Sequence, residues 1–144
     1  MKNKPIKLYH FTSPEHIFGC KFQGIVQGMI PMCLEPADLR FGYQWLTSNK
    51  DFDQSWDRAN SLPYDRTAHR IEVNIPKKHQ HKLLKFDVEG KKMIPRAMYE
   101  ALAGYGDPEN WYMYHGFVLR KWFGKIAEKP GGPVVTPDSK RIIT

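Results

Sequence analysis

Residues Ile6 to Gly24 read IKLYHFTSPEHIFGCKFQG, and this stretch carries the first decision about the fold. Its opening alternates, with Ile6, Leu8 and His10 on one face and Lys7, Tyr9 and Phe11 on the other, which is the period of a β-strand over Ile6–Thr12. Ser13, Pro14 and Glu15 follow as a helix start: a hydroxyl cap, a first-position proline and an acid in the first turn. The helix is expected to turn Ile17, Phe18 and Phe22 inward and to stop at Gly24. A strand runs straight into a short helix.

Further along, Gly28 and Pro31 break the chain, and GYQWLTS, Gly42–Ser48, gives an aromatic, alternating strand. A short helix is expected over Asp51–Arg58, capped by Ser48 or Asn49. The clearest strand is TAHRIEVNI, Thr67–Ile75, where Ile71, Val73 and Ile75 alternate with Arg70, Glu72 and Asn74 before Pro76 closes it. Leu83–Val88 is a weaker strand, Pro95–Ala103 a short helix stopped by Gly104, and Trp111–His115 an aromatic strand. One turn over Val118–Trp122 and a strand over Lys125–Glu128 complete the pattern. The later strands have no crossover helices between them, so the reading is α+β with an antiparallel sheet, not a doubly wound α/β fold.

The chain has 144 residues, 41% hydrophobic and 26% charged, which fits one globular domain and excludes a disordered chain or a coiled coil. That domain is expected over 1–128, with a Pro/Gly-rich tail over 129–144 that begins KPGGPVVTP. No apolar run reaches the roughly 18 residues of a membrane span, and the start shows no secretory signal, so a cytoplasmic protein without a membrane is expected. Two cysteines, Cys20 and Cys33, are too few for a disulfide scaffold. His10, His16 and Cys20 have ligand-like spacing but lack a fourth partner, so no metal is expected.

Lysine and arginine number 22 against 15 acids, a net charge of +7 that favours an anionic partner. The cations are scattered, and a plain solvated surface is the competing reading. Aromatics make up 13%, more than a core of this size needs, which points to rings lining a cleft or an interface. P-loop, GxGxxG, GxSxG, HExxH and CxxC patterns are all absent.

The order of the segments carries a resemblance. LYHFTSPEHI followed by FQGI, then GYQWLTSN, AHRIEVNIP and ENWYMYHGFVLRKWFGKIAE resemble, in sequence order, the strand motifs of the ADP-ribosyltransferase superfamily. Poly(ADP-ribose) polymerases and DNA-modifying toxins are among its members. The resemblance implies a split antiparallel β-sheet with short flanking helices. It implies NAD+ as substrate and mono-ADP-ribosyl transfer to a macromolecular acceptor, nucleic acid or protein, in a toxin or a bacteriophage-encoded modifier.

Residue by residue, it implies that His10 bonds a ribose hydroxyl, that the Phe11 backbone pairs with the nicotinamide carboxamide, and that Thr12 supports the strand end. Trp45, with Tyr43, would stack on nicotinamide, and Arg70 or Arg66 would meet the pyrophosphate. A carboxylate is needed to stabilise the oxocarbenium-like ribose. Here the chain departs from the pattern: a gapless match puts Asn110 at that place, and Glu109 reaches it only with a one-residue shift, while the toxin-like alignment nominates Glu72. Three other readings stand beside transfer: a catalytically degenerate nucleotide- or partner-binding protein, an NAD+-dependent RNA 2′-phosphotransferase using Arg66, Arg70 and Arg120, and a simple basic RNA- or DNA-binding module with aromatic stacking. Plain packing competes at each position. His10 shares a face with Ile6 and Leu8, Trp45 and Tyr43 suit a core, Arg70 and Glu72 suit a cross-strand pair, and Glu109 suits a loop charge.

Overall fold

Strand β1, Ile6–Thr12, pairs antiparallel with β5, His69–Ile75, along its whole length, from Ile6 opposite Ile75 to Thr12 opposite His69. The computed structural model that shows this describes residues 4–34, 36–54, 56, 65–104 and 106–130. The β1–β5 alternation puts Leu8, Ile71, Val73 and Ile75 on apolar ground, all of them buried. Each such side chain contributes about 1.5–3 kcal/mol on burial. Strand β8, Phe123–Glu128, extends the sheet beyond β5.

On the other side of β1 lie β4, Tyr43–Thr47, then β7, Trp111–His115, and the short β6, Leu83–Lys85. The order is β6-β7-β4-β1-β5-β8, antiparallel throughout, so the α+β class with an antiparallel sheet is the observed one. The seam in the middle is thin. β1 and β4 share one register partnership, Tyr9 with Thr47, whereas β4 and β7 are paired from Tyr43–His115 to Thr47–Trp111. The sheet is therefore open between its two halves.

Each face has its own core. Helix α1, Ile17–Gln23, and the bridge between Ile25 and Val118 cover Leu8, Leu46, Ile71, Val73 and Tyr114. The opposite core is built on Ile30, Phe86, Trp111 and Met113. It is flanked by the hairpin β2–β3, Met29–Leu34 and Ala37–Phe41, by the single turn α2, Lys91–Met93, and by helix α3, Arg96–Ala103. Gln44, fully buried, ties the layers together: its Oε1 accepts from Gly28 N at 2.7 Å and its Nε2 donates to Gly116 O at 3.0 Å.

Several expectations are corrected. Helix α1 starts at Ile17 after His16, not at Pro14 under a Ser13 cap. The strand expected over Leu83–Val88 ends at Lys85, where 86–90 turns helical. The hairpin β2–β3 was not expected, because Pro31 reads as a break and every β3 side chain is exposed, which leaves no alternation to detect. Phe18 and Phe22 do not face inward; they are 73% and 83% exposed. A helix of under two turns buries one stripe, here Ile17 and Cys20, and residues a turn apart at 18 and 22 fall on the other side. Residues 51–54 are not helical: Asn49 Oδ1 accepts from Asp51 N and Asp51 Oδ1 from Asp53 N, side-chain turns that compete with a helix. The rest of that expected helix, Trp56 apart, and the tail beyond Pro130 lie outside the described residues.

Candidate functional site

At the seam β1 leaves β4 after Tyr9. Continued in register, Phe11 would face Trp45. Instead the Trp45 carbonyl accepts from His10 Nδ1 at 2.9 Å, so an imidazole makes the bond that strand backbone would have made. A cleft of about 510 Å³ opens there, within the size range of small-molecule sites. The Tyr9–Ser13 backbone segment, His16, Trp45 and Trp111 wall it, together with Trp56, Arg66 and Leu102.

Since a carbonyl can only accept, Nδ1 of His10 carries the proton. Burial pushes the imidazole below its ordinary 6.5, outweighing the upward pull of the Trp45 hydrogen bond. The neutral ring then presents Nε2 as an acceptor, suited to a hydroxyl. Trp45 is fixed at its far end, where Nε1 donates to Met29 O at 2.8 Å, and it packs on Phe86 and Trp111 at centroid distances of 5.3 and 6.2 Å. Ser13 Oγ lies 2.7 Å from His16 Nδ1 at the start of α1.

The sequence-nominated residues divide. His10, Phe11, Thr12 and Trp45 line this one cleft. Tyr43 does not; its ring stacks on His115 across β7 at 4.4 Å. Of the two arginines, Arg66 lines the cleft, 5.0 Å over the Trp56 ring. Arg70 lines a separate, more open hollow of about 830 Å³, resting 4.7 Å over Phe52 and 5.6 Å over Tyr9 and donating to Lys50 O at 2.8 Å. Phe11 and Phe52 meet edge to face at 5.6 Å, one ring from each cavity. Arg120 is elsewhere again, donating to Phe22 O, so the three arginines are not gathered.

The carboxylates are less well placed. Glu72 pairs with Lys7 at 3.7 Å and borders neither cavity. Glu109 is exposed in the 3₁₀ turn Pro108–Asn110, two residues before Trp111, and its backbone carbonyl accepts from Lys85 Nζ at 2.8 Å. Asn110 is held by Ser48 and by Asp107, each at 3.0 Å. Asp107 also accepts from Asn49 and from Trp111 Nε1; burial opposes its charge, but these bonds prevail and hold the carboxyl below its usual range. Among the described residues no carboxylate lines the cleft.

Trp56 and Trp111, read from sequence as packing, line the cleft while they pack, and Pro31 and Leu102 join them from the unexpected hairpin and from α3. The period of these segments carries no signal for a cleft position. His10, His16 and Cys20 do not cluster as metal ligands among the described residues. Compared with protein-family models and with curated proteins, the chain matches none.

Proposed function

We propose that the cleft between β1 and β4 binds NAD+ and that the protein is a mono-ADP-ribosyltransferase acting on a macromolecule, on an ADP-ribosyltransferase-like split sheet. The observation that carries this reading is the His10 ring in the seam, neutral and anchored through Nδ1 to the Trp45 carbonyl. In this reading Nε2 accepts a ribose hydroxyl of NAD+. The Phe11 backbone, without a β4 partner, meets the nicotinamide carboxamide, and Trp45 offers an aromatic wall to the pyridinium. Arg66, not Arg70, meets the pyrophosphate, since of these two it is the one that lines the cleft.

In the transfer step the bond between ribose C1′ and the nicotinamide nitrogen breaks, its electron pair leaving with nicotinamide. The acceptor's nucleophile forms the new bond to C1′ and gives up its proton to water. In this reading Glu109, two residues before the cleft residue Trp111, supplies the carboxylate; Asp107 is already committed to its three donors. A second reading, nucleotide binding without turnover, is favoured by the lack of a carboxylate in the cleft wall among the described residues. Incubation with adenylate-labelled NAD+ and cell extract separates the two. Transfer of label with nicotinamide release supports the enzyme. A rise in melting temperature with NAD+ but no release supports the binder, and neither response overturns both.

A further inference from the structure

The face of the sheet carrying α1 has a second feature that the cleft does not use. Phe18 and Phe22 stand on the outer side of α1, 73% and 83% exposed. The Lys21 ammonium lies 5.8 Å from the Phe18 ring centre. Next to α1, Arg120 Nη1 donates to the Phe22 carbonyl at 3.3 Å, which joins the helix to the 3₁₀ turn Arg120–Trp122. Trp122 in turn carries the His79 ring at 4.9 Å, joining that turn to the basic segment KKHQHK, Lys77–Lys82. Helix, turn and basic segment are thus neighbours, linked through Arg120 and the buried Trp122.

These segments are basic by composition, although exposed Glu15 precedes α1 and the Glu72 carboxylate lies against Gly124. Neither 77–82, nor 117–125, nor 17–23 contains an acidic residue. Among the described residues none of Lys77, Lys78, Lys82, Arg120 and Lys121 lies within ion-pair distance of a carboxylate. His79 registers the crowding: partial desolvation first, then the charges of Lys78, Lys82, His81 and Lys121, lower its pKa. Two exposed aromatic faces beside an uncompensated cationic strip match what a single strand of nucleic acid presents, flat bases on one side and phosphates on the other. A duplex hides its base faces, and an acidic peptide offers rings only where it happens to carry aromatic residues, not one beside every charge.

We infer that this surface binds single-stranded nucleic acid, with Phe18 and Phe22 stacking on bases while Lys78, Arg120 and Lys121 neutralise phosphates. The binding itself does not depend on the NAD+ reading. Helix α1 starts beside His16 in the cleft wall and ends at this surface, so a strand held here lies about 10 Å from the cleft. If the proposed transfer is correct, the acceptor is then nucleic acid.

The test is fluorescence anisotropy with labelled single-stranded oligothymidylate, without NAD+, between about 50 and 200 mM salt. Wild type is expected to bind, and Phe18→Ala and Phe22→Ala each to weaken binding by about 5- to 100-fold, with Phe22→Trp retaining it. Replacing Lys78 and Lys121 by Gln is expected to make the slope of log affinity against log salt shallower by about 1.4. His10→Ala, aimed at the NAD+ cleft, is expected to leave oligonucleotide binding unchanged, so failure of one proposal is distinct from failure of the other. No binding by wild type, binding indifferent to both phenylalanines, tighter binding of polyglutamate, or self-association through the Phe18–Phe22 face would each overturn the inference.

Discussion

Lowering the pH through 6.5 should weaken the fold through His10 in particular. Its folded pKa lies below the ordinary 6.5 because the ring is buried in the seam. In the unfolded chain it protonates near 6.5, so below that pH the unfolded state holds a proton that the folded state refuses. Stability from this group is complete above 6.5 and is lost as pH falls below it, by up to about 1.4 kcal/mol for each pH unit until the folded pKa is reached. Between pH 7.5 and 5.5 the loss is at most about 1.4 kcal/mol, or about 0.5–1 M in the urea midpoint for a domain of this size. The assay is urea unfolding followed by tryptophan fluorescence, comparing wild type with His10→Gln, whose amide can still donate to the Trp45 carbonyl. His79 also titrates low, but equally in both proteins, so the difference between the two pH slopes isolates His10. Identical slopes would refute the placement of a neutral, buried imidazole in the seam.

Gln44→Leu keeps the volume but strands the Gly28 N–H and the Gly116 carbonyl, both beside a fully buried position, and is expected to lower stability by about 2–4 kcal/mol in the same urea assay. Glu109→Gln is expected to reduce ADP-ribosyl transfer at least 100-fold with NAD+ affinity unchanged, while Glu72→Gln, whose charge is spent on Lys7 outside the cleft, leaves transfer near wild type. Nicotinamide release and NAD+ titration on the two variants check this directly.

Strands β1 and β5 are legible because alternation survives in their sequences, and β7 because its aromatic run WYMYH ends at Gly116, although both of its faces are buried, Met113 on one and Tyr114 on the other. That signal disappears in β3, exposed on every residue, and is masked in β2 by Pro31. Residues 51–54 mislead for a different reason, since Asn49 and Asp51 cap backbone N–H groups locally and satisfy the chain without a helix. In the site, His10 and Trp45 stand out in the sequence because each lies on a strand that its alternation marks, and the structure brings both to one cleft. The choice between Arg66 and Arg70 is not legible there, because it turns on where the chain enters β5, and cleft positions such as Leu102 depend on packing between elements far apart in sequence. Phe18 and Phe22 show the converse. Hydrophobic type predicts burial, but α1 is too short to bury two sides.

Isothermal titration of NAD+ into wild type, His10→Ala and Trp45→Ala is the most direct test of the seam as a dinucleotide site. The expected result is saturable binding at one site by wild type, weakened about tenfold or more in each variant through loss of the hydroxyl acceptor and of the aromatic wall. Absence of saturable binding by wild type, or equal affinity in all three proteins, would contradict it.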